Sequence, residues 1–524
     1  MPPPSTSNEK TALPEQTAID VDDHRVEDVV LARKITGLKW AVVVLAIISS
    51  TFLYALDNTI MANIRPGIIK SLGHIELLPW ITVAYPLGEF NNKWLYITAV
   101  FLFEVGSAIS GAAPTMSVLV FGRVLAGVGG SGIYVGTVNI LTIMTAPVER
   151  AQYLGFVGMA WSLGTILGPM IGGAFNDSKA TWRWAFYINL CAAALAAPAW
   201  LLLIPSSSPR AGVKRLEKVK QLDFLGITLF AGGVASIILI LGFGGTIWEY
   251  SSARMVGLYV ALGLVWVAFI CQQWLRIFTI SPIFPIHFFA NVELVIMFLQ
   301  TAIAISDILV TIYMLPLFFQ FVYGDSTLRS GVYVLAVTAA GIAAAGGGGA
   351  VFPKFPLYMV WFVAANAFII IGAALLTTIS DTSSRGTVCG FAIINLIGGG
   401  LIVQLSFTVG QVKAGPRDVR PVNTFLTTAQ MFGLAVSLGV ATALFVNIAV
   451  PELSLLMPDR TKDAVYAAVE GVGNASFDEL SDIVRGEILR VVAKSVAKVF
   501  YLNVAGGAWG FVTALALKRE RLAL

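Results

Sequence analysis

The chain has few charged residues for its length. Of its 524 residues, 12% are Asp, Glu, Lys or Arg, whereas 57% are hydrophobic, and the mean hydropathy is +0.81. Soluble domains carry about 25% charged residues, because these residues cover their surface. Here the charges fall in short patches between long apolar runs. The sequence therefore predicts an all-α polytopic membrane protein.

Cysteine and histidine are also scarce, with three of each. No CxxC or Cys/His spacing occurs, so neither a disulfide framework nor a zinc site is readable. We expect Cys191, Cys271 and Cys389 to be buried packing residues. No His cluster, Ser/His/Asp set or adjoining pair of carboxylates can be assigned, so we predict no metal, no cofactor and no enzyme activity. The net charge of +4 gives little support for nucleic-acid binding.

Fourteen runs are candidate membrane spans, because a spanning helix needs about 20 mostly apolar residues. They begin near residues 40, 77, 94, 117, 151, 184, 224, 255, 294, 331, 357, 386, 422 and 497. The predicted domains are a disordered cytoplasmic tail (1–39) without a signal peptide, a helix bundle (40–205), a basic cytoplasmic loop (206–222), two additional helices (223–276), a second bundle (277–450), an outer loop with an amphipathic helix (451–495), a last span (496–517) and a cytoplasmic tail (518–524).

The distribution of Lys and Arg predicts the orientation of these spans. Arg33, Lys34 and Lys39 precede the first span and place the amino terminus in the cytoplasm. Basic residues then recur in alternate loops, most densely at 209–221, and in the tail at 518–524. The alternation requires two crossings between residues 77 and 113. Both termini are therefore predicted to be cytoplasmic.

The second candidate span is short. Residues 77–90 would extend about 21 Å at 1.5 Å per residue, against a hydrocarbon core of about 30 Å.

Two asparagines fit the glycosylation acceptor pattern. Asn474 lies in the polar outer loop, and Asn176 follows the fifth span. We predict both as glycosylation sites, although such tripeptides also arise by chance.

Ionisable residues inside spans are costly and are therefore functional candidates. Five lie well inside: Asp57, Glu89, Glu104, Arg123 and Asp307. We predict that Asp57, Glu104, Arg123 and Asp307 serve proton coupling or the electrostatics of a cavity, because a carboxylate beside a guanidinium can change its proton occupancy with conformation. Structural pairing with another helix is the alternative for each of them.

Uncharged polar side chains within spans have two interpretations. They can line a substrate cavity, or they can form hydrogen bonds between helices. We predict a cavity role for Asn395, Gln404, Gln411 and Gln430, and weigh the same role for Gln300.

Glycines are concentrated in three spans. The stretches at 127–136 and 341–350 lack the Lys-Ser/Thr ending of a phosphate-binding loop and indicate close helix packing. The stretch "LGTILGPMIGGAF" places Gly164, Gly168 and Gly172 at spacings of four along one helix face, with Pro169 and Gly173 beside them. This pattern predicts a smooth groove on a bent helix, as a moving interface requires.

Together these stretches resemble the major facilitator superfamily, and within it the fourteen-span drug:proton antiporter branch of fungal toxin and secondary-metabolite efflux pumps. "LGTILGPMIGG" matches the antiporter motif of the fifth helix at Gly164, Gly168, Pro169, Gly172 and Gly173. Further similarity lies in "LDNTIMANIRP" around Asp57, "FGRVLAGVGGSG" around Arg123, "WRWAFYINL" at 182–190 and "YMLPLFFQFVYGDSTLRSG" at 313–331.

The resemblance implies two six-helix bundles with two extra helices between them, and proton-driven export of hydrophobic or amphipathic small molecules. A monomer in the plasma membrane is expected, with a vacuolar or vesicle membrane as the alternative location. A charged cytoplasmic motif joins the second and third helices in that family, but here only Asn91, Asn92 and Lys93 stand between them. A siderophore or nutrient transporter of the same fold, and a non-transporting or defective membrane protein, therefore remain alternatives.

Overall fold

The computed structural model describes residues 36–72, 92–178, 181–204, 223–244, 248–279, 282–458, 465 and 482–523. These residues form α-helices joined by short turns. The helices are α1 (Gly37–Leu72), α2 (Asn92–Ala112), α3 (Met116–Met144), α4 (Pro147–Asp177), α5 (Trp184–Leu203), α6 (Phe224–Phe243), α7 (Ala253–Leu275), α8 (Val292–Tyr323), α9 (Thr327–Val351), α10 (Tyr358–Leu376), α11 (Arg385–Ala414), α12 (Val419–Leu456), α13 (Asp482–Val499) and α14 (Tyr501–Leu515).

Within the described ranges, twelve helices, α1 to α12, are long and apolar enough to cross a membrane. The predicted short second span, including Glu89, lies outside the described residues. α14 is shorter than a typical span, but only Phe500, itself with right-handed helical backbone angles, separates it from α13. The predicted amphipathic helix of the outer loop corresponds to α13, whose apolar face packs on α8 and α12.

The N-terminal half contains α1 to α5. Its closest helix pairs are α1 with α4 and α2 with α3, and glycines allow both approaches. A Cβ at Gly164 would collide with the backbone of α1 at Phe52, and a Cβ at Gly129 would collide with the backbone of Phe103. The glycine stretch at 127–136 therefore packs helices, as expected. Gly164, from the predicted groove, packs within the half rather than against the other half.

α6 and α7 form a hairpin that is closed by one buried carboxylate. Asp223 caps α6 by accepting a hydrogen bond from the backbone N–H of Gly226. Its two oxygens also accept hydrogen bonds from Gln272, at 2.8 Å, and from Gln273, at 2.5 Å. The hairpin packs on α12, where Trp266 meets Phe432, and thus belongs to the C-terminal half.

Large apolar side chains of the hairpin point away from the protein, as expected in lipid. Val260, Leu264, Val267 and Trp274 of α7 are all more than half exposed.

The expectation that the cysteines are buried was wrong for two of them. Cys191 and Cys271 are exposed, since they lie on outward faces of α5 and α7, and Cys389 is half-buried.

The C-terminal half consists of α8 to α12 with α13 and α14. α11 lies at its centre and packs against α8, α9, α10 and α12. The two halves meet mainly where α4 runs along α9, with further contacts of α4 with α11 and of α3 with α12. Gly155 approaches Gly346 near one end of this seam, and Met170 lies against Gly331 near the other.

Candidate functional site

A cavity lies between the two halves. α3 and α4 form one wall, and α8, α9, α11 and α12 form the other. Its volume is about 50 Å³, whereas pockets for drug-sized ligands measure about 300–1,000 Å³. No charged residue lines it within the described part of the chain. Its polar lining residues are Tyr134, Trp161, Ser162, Thr338, Gln404 and Gln430.

The wall from the N-terminal half is aromatic. Trp161 packs edge-to-face with Tyr134, with ring centroids 5.1 Å apart, and with Tyr54 behind it at 5.5 Å. Edge-to-face packing holds such rings in fixed orientations. The absence of a side chain at Gly158 leaves room for Gln404, which reaches across from α11. The N-terminal half thus contributes mainly flat apolar surface to the cavity.

The wall from the C-terminal half carries two amides, those of Gln404 and Gln430. Gln430 is 2% exposed, and its Oε1 is buried without a hydrogen-bond partner among the described residues. Asn395 and Gln411, which were also predicted as cavity residues, lie elsewhere. Gln300 likewise lies outside the lining, where it bonds to Asn366 at 2.8 Å and to the backbone oxygen of Gly510.

Asp57 and Arg123 form a buried ion pair inside the N-terminal half. Arg123 Nη1 donates to Asp57 Oδ2 at 2.5 Å, and both side chains are almost fully buried. Asn189 of α5 donates to Asp57 Oδ1 at 3.2 Å and to Ser107 Oγ at 3.3 Å. The guanidinium also lies over the ring of Phe186, 5.5 Å from its centroid. Four helices, α1, α2, α3 and α5, therefore meet at one charge pair.

Glu104 lies next to this network on α2. It is three residues before Ser107, so the two side chains share a helix face. One carboxylate oxygen, Oε2, is buried and has no hydrogen-bond partner in the described ranges. The structure thus brings the predicted residues Asp57, Arg123 and Glu104 into one region.

Asp307 lies in the other half and has no cationic partner among the residues that the structure describes. It is 2% exposed, and its Oδ1 accepts a hydrogen bond from Asn395 Nδ2 at 2.8 Å. Asn503 of α14 donates to its backbone oxygen at 3.2 Å. Oδ2 has no partner and faces Gly399, where a Cβ would lie 3.2 Å away. The side chains that donate hydrogen bonds to Asp307 in the described part of the chain are therefore both amides.

Four buried polar residues join the two halves near the end of the seam where α3 ends and α4 begins. Asn423 donates to Asn139 at 3.0 Å and to Thr142 at 3.4 Å, and it accepts from Gln411 at 2.8 Å. Gln411 also donates to Thr142 at 3.3 Å. We call these residues, Asn139, Thr142, Gln411 and Asn423, the amide cluster. The predicted orientation places it at the cytoplasmic end.

A charged network lies at the same end of the C-terminal half. Lys413 binds Glu293 at 2.9 Å and also binds Glu520 of the tail, and Tyr358 donates to Glu293 at 2.5 Å. Hydrogen bonding to Lys413 holds the pKa of the Glu520 carboxyl below its ordinary value. The tail is thereby fixed to the ends of α8, α10 and α11.

Other predicted positions lie in α4 or outside the description. Gly168 and Gly172 are buried, and α4 continues through Pro169 and Gly173 without a break. Asn176 is the penultimate residue of α4. Asn474 and residues 73–91, which include the predicted second span, lie outside the described residues. Within the described ranges, no cluster of three His, Cys, Asp or Glu residues forms a metal site.

Several members of these networks were not predicted from the sequence. Tyr134 and Trp161 had no distinguishing signal, because aromatic residues are common in spans. Asn139, Asn189, Asn423 and Asn503 could have been found as amides within apolar runs, the same signal that singled out Asn395. Their partners are far apart along the chain, so their roles became visible only in the fold.

Comparison with known proteins gives the same architecture. Residues 40–440 match the family described as the Major Facilitator Superfamily. The chain is 38% identical over 505 residues to the MFS-type transporter pgmG of Aspergillus terreus, covering 94% of this chain and 90% of that protein. It is 34% identical over 504 residues to the efflux pump DEP3 of Fusarium langsethiae, covering 94% and 92%. The crystal structure of the human organic anion transporter MFSD10 (TETRAN) is similar in fold, with a TM-score of 0.54, 13% identity, and coverage of 90% of this chain and 100% of that chain.

Proposed function

This chain belongs to the Major Facilitator Superfamily, and from that premise we propose that it exports hydrophobic or amphipathic small molecules in exchange for protons. The observation that carries the proposal is the cavity between the halves, which has an aromatic wall, two amides and no charged lining residue in the described part. Such a lining accepts apolar cargo and offers little to a charged nutrient. Curated relatives named as efflux pumps support the outward direction.

Transport requires the halves to separate, because the present cavity is too small for cargo of that class. The amide cluster joins the halves at one end, and Met170 lies against Gly331 towards the other. Alternating access would break one set of contacts at a time while the bundles rock about the central cavity. Neutral hydrogen bonds suit this purpose, since each contributes only about 0.5–1.5 kcal/mol and can re-form in every cycle.

Proton coupling would use the buried carboxyl groups. Protonating Asp57 would leave Arg123 as an unpaired buried charge, so the pair favours proton exchange only together with a rearrangement. Asp307 differs, because a proton there removes the cost of burying an unpaired charge. Glu104 of α2 lies next to the Asp57 region and would pass protons to it.

Export can be tested in pump-deficient cells that express the chain. We expect lower accumulation of a neutral aromatic dye than in cells with an empty vector, and a protonophore should abolish the difference. Undiminished export after collapse of the gradient would contradict proton coupling. Equal accumulation with and without the protein, when it is present at the cell surface, would contradict export itself.

A nutrient or siderophore transporter of the same fold is the second candidate. Uptake into vesicles with an imposed pH gradient separates the two: an exporter moves dye against proton entry, whereas an importer moves a polar solute along with it. A non-transporting protein would move neither. The aromatic wall formed by Tyr134 and Trp161 favours the exporter.

We further propose a multi-pass monomer of the plasma membrane with both termini in the cytoplasm and with no enzyme activity. The proton gradient, rather than a bound cofactor, would supply the energy, and the partners would be the cargo, protons and lipid. Impermeant labelling of tags at each terminus tests the orientation, and glycosidase treatment tests Asn176 and Asn474.

A further inference from the structure

The described lining of the cavity includes a buried hydrogen-bond acceptor without a donor. Gln430 of α12 lines the cavity, is 2% exposed, and has an Oε1 without a hydrogen-bond partner in the described ranges. A buried acceptor of this kind costs free energy until a donor reaches it. We propose that Gln430 selects cargo that is uncharged and carries a hydroxyl group, which donates to Oε1. This inference rests on the proposed function and specifies its substrate class.

The surroundings of Gln430 define the remainder of the cargo. Tyr134 and Trp161 offer flat aromatic surface on the opposite wall, where the Tyr134 hydroxyl lies within hydrogen-bonding reach of the Gln430 amide. Met431 and Leu434 continue the apolar lining on α12. A charged group on the cargo would find no counter-ion among the described lining residues. The matching ligand is therefore a flat, apolar, neutral compound with a hydroxyl group at one edge.

The other amides in the spans have different roles. Asn395 donates to Asp307 and accepts from Thr311 at 2.8 Å, so its amide is already used inside the C-terminal half. Gln411 also has a free Oε1, but it lies in the amide cluster and not in the cavity lining. Gln404 lines the cavity, yet neither of its amide atoms is a buried atom without a partner. Gln430 alone combines a place in the described lining with a free buried acceptor.

The hydrogen bond to Gln430 Oε1 should distinguish an alcohol from an ether. A hydroxyl group that donates to Oε1 replaces a bond that the cargo had made to water. The methyl ether of the same compound has no proton to donate and leaves Oε1 unpaired in the closed cavity, so a site built around such a bond rejects the analogue that lacks it. From the value of one neutral hydrogen bond we expect a preference of about three- to tenfold for the alcohol.

The test uses two fluorescent probes, 1-pyrenemethanol and its methyl ether, in which a methyl group replaces the hydroxyl proton; comparing the ratio of the two between variants cancels the difference in their size and polarity. Export of each is measured in pump-deficient cells that express the full chain, and Gln430→Met is compared with the wild type. We expect the wild type to export the alcohol about three- to tenfold faster than the ether. Gln430→Met should export both at similar rates, since the thioether keeps the shape but not the amide acceptor.

Two internal controls keep the result interpretable. Ether export by Gln430→Met reports that this variant is folded, and Gln320→Met, outside the cavity where Gln320 donates to Ser330, should keep the wild-type preference. An unchanged alcohol-to-ether ratio in Gln430→Met would overturn the inference while leaving the export function intact. Export of neither probe by the wild type would overturn the proposed function and, with it, the inference.

Discussion

Asp57 and Asp307, one in each half, are buried in opposite ways. In the N-terminal half, Asp57 faces a guanidinium, and both oxygens of its carboxylate have a donor. In the C-terminal half, Asp307 faces amides, and one of its oxygens has no partner. A paired charge holds helices together without a net charge, whereas an unpaired carboxyl group is tolerated in the interior chiefly when it is neutral. Protonation therefore has opposite consequences at the two sites, since it would leave Arg123 unpaired beside Asp57 but would remove an unpaired charge at Asp307.

The ion pairs of the C-terminal half lie at helix ends instead. Lys413 pairs with Glu293 at one end, and Arg385 binds Asp325 at the other, at 2.9 and 3.0 Å. Its interior is held by neutral hydrogen bonds. The half that holds the amide wall of the cavity thus also holds Asp307, a buried carboxyl group without a cationic partner among the described residues.

Breaking the buried pair should give the largest effect. Arg123→Ala leaves Asp57 as an unpaired buried carboxylate, and breaking such a pair from one side costs about 3–5 kcal/mol. We expect a clearly lower Tm of the purified protein and loss of dye export. The Tm is measured on detergent-purified protein, and dye export is measured in vesicles.

A double variant separates stability from transport in this half. Asp57→Leu with Arg123→Met removes both charges and should restore most of the Tm, because two apolar residues can replace a buried pair. Export should stay absent if the charges are needed for coupling. A wild-type Tm in Arg123→Ala would show that the pair contributes little, and the contrast between the halves would lose its basis.

Asp307→Asn should affect coupling rather than stability. The amide oxygen can still accept from Asn395, so we expect a change in the free energy of unfolding below about 1.5 kcal/mol. The variant cannot take up a proton, so an imposed pH gradient should no longer accelerate export in vesicles. Asp381→Asn is the matched control, because Asp381 lies in the turn between α10 and α11, 3.9 Å from Arg490, and should keep the response. A gradient response in Asp307→Asn equal to that of the wild type would place the proton elsewhere.

Weakening the amide cluster, which joins the two halves, should give the next largest effect. Asn423→Leu removes three hydrogen bonds of the amide cluster and should favour separation at that end by about 1–3 kcal/mol. The readout is labelling by an impermeant maleimide of Ser162→Cys in a chain whose native cysteines are serine. Labelling from that face should increase at least about fivefold. Thr513→Val, which removes a bond to Gln300 inside one half, should not increase it.

Part of this arrangement was predictable. Intramembrane charge is conspicuous, so Asp57, Arg123 and Asp307 were visible in the sequence, and the charge alternation and motifs indicated the fold. Family membership and the fold were confirmed. The partners of these charges were less accessible, because Asn395 was predicted to line the cavity and instead bonds to Asp307.

The amides show why the remainder could not be predicted. Gln404, Gln411 and Gln430 are the same residue type in similar apolar runs, and yet two line the cavity and one joins the halves. Gln404 and Gln411 lie about two turns apart on α11, and different helices pack against that helix at the two levels. Periodicity gives the face of a helix but not the helix that packs against it, and the composition of a span carries no record of that partner.

The smallest effect is expected from removing the charge of Glu520, which forms a solvent-exposed ion pair with Lys413. The Glu520 side chain is 49% exposed, whereas that of Asp57 is 2% exposed, so solvent screens the former pair far more. Because the pKa of Glu520 is lowered in the folded protein, its stabilising contribution is present above the ordinary glutamate pKa of about 4.3 and is lost as the pH falls through the lowered value. Glu520→Gln should therefore lower the Tm slightly at pH 7, and this difference should shrink as the pH falls below about 4.3. A difference that did not shrink on acidification would mean that Glu520 stabilises the tail by packing, and that the end network differs from the buried pair in more than its exposure to solvent.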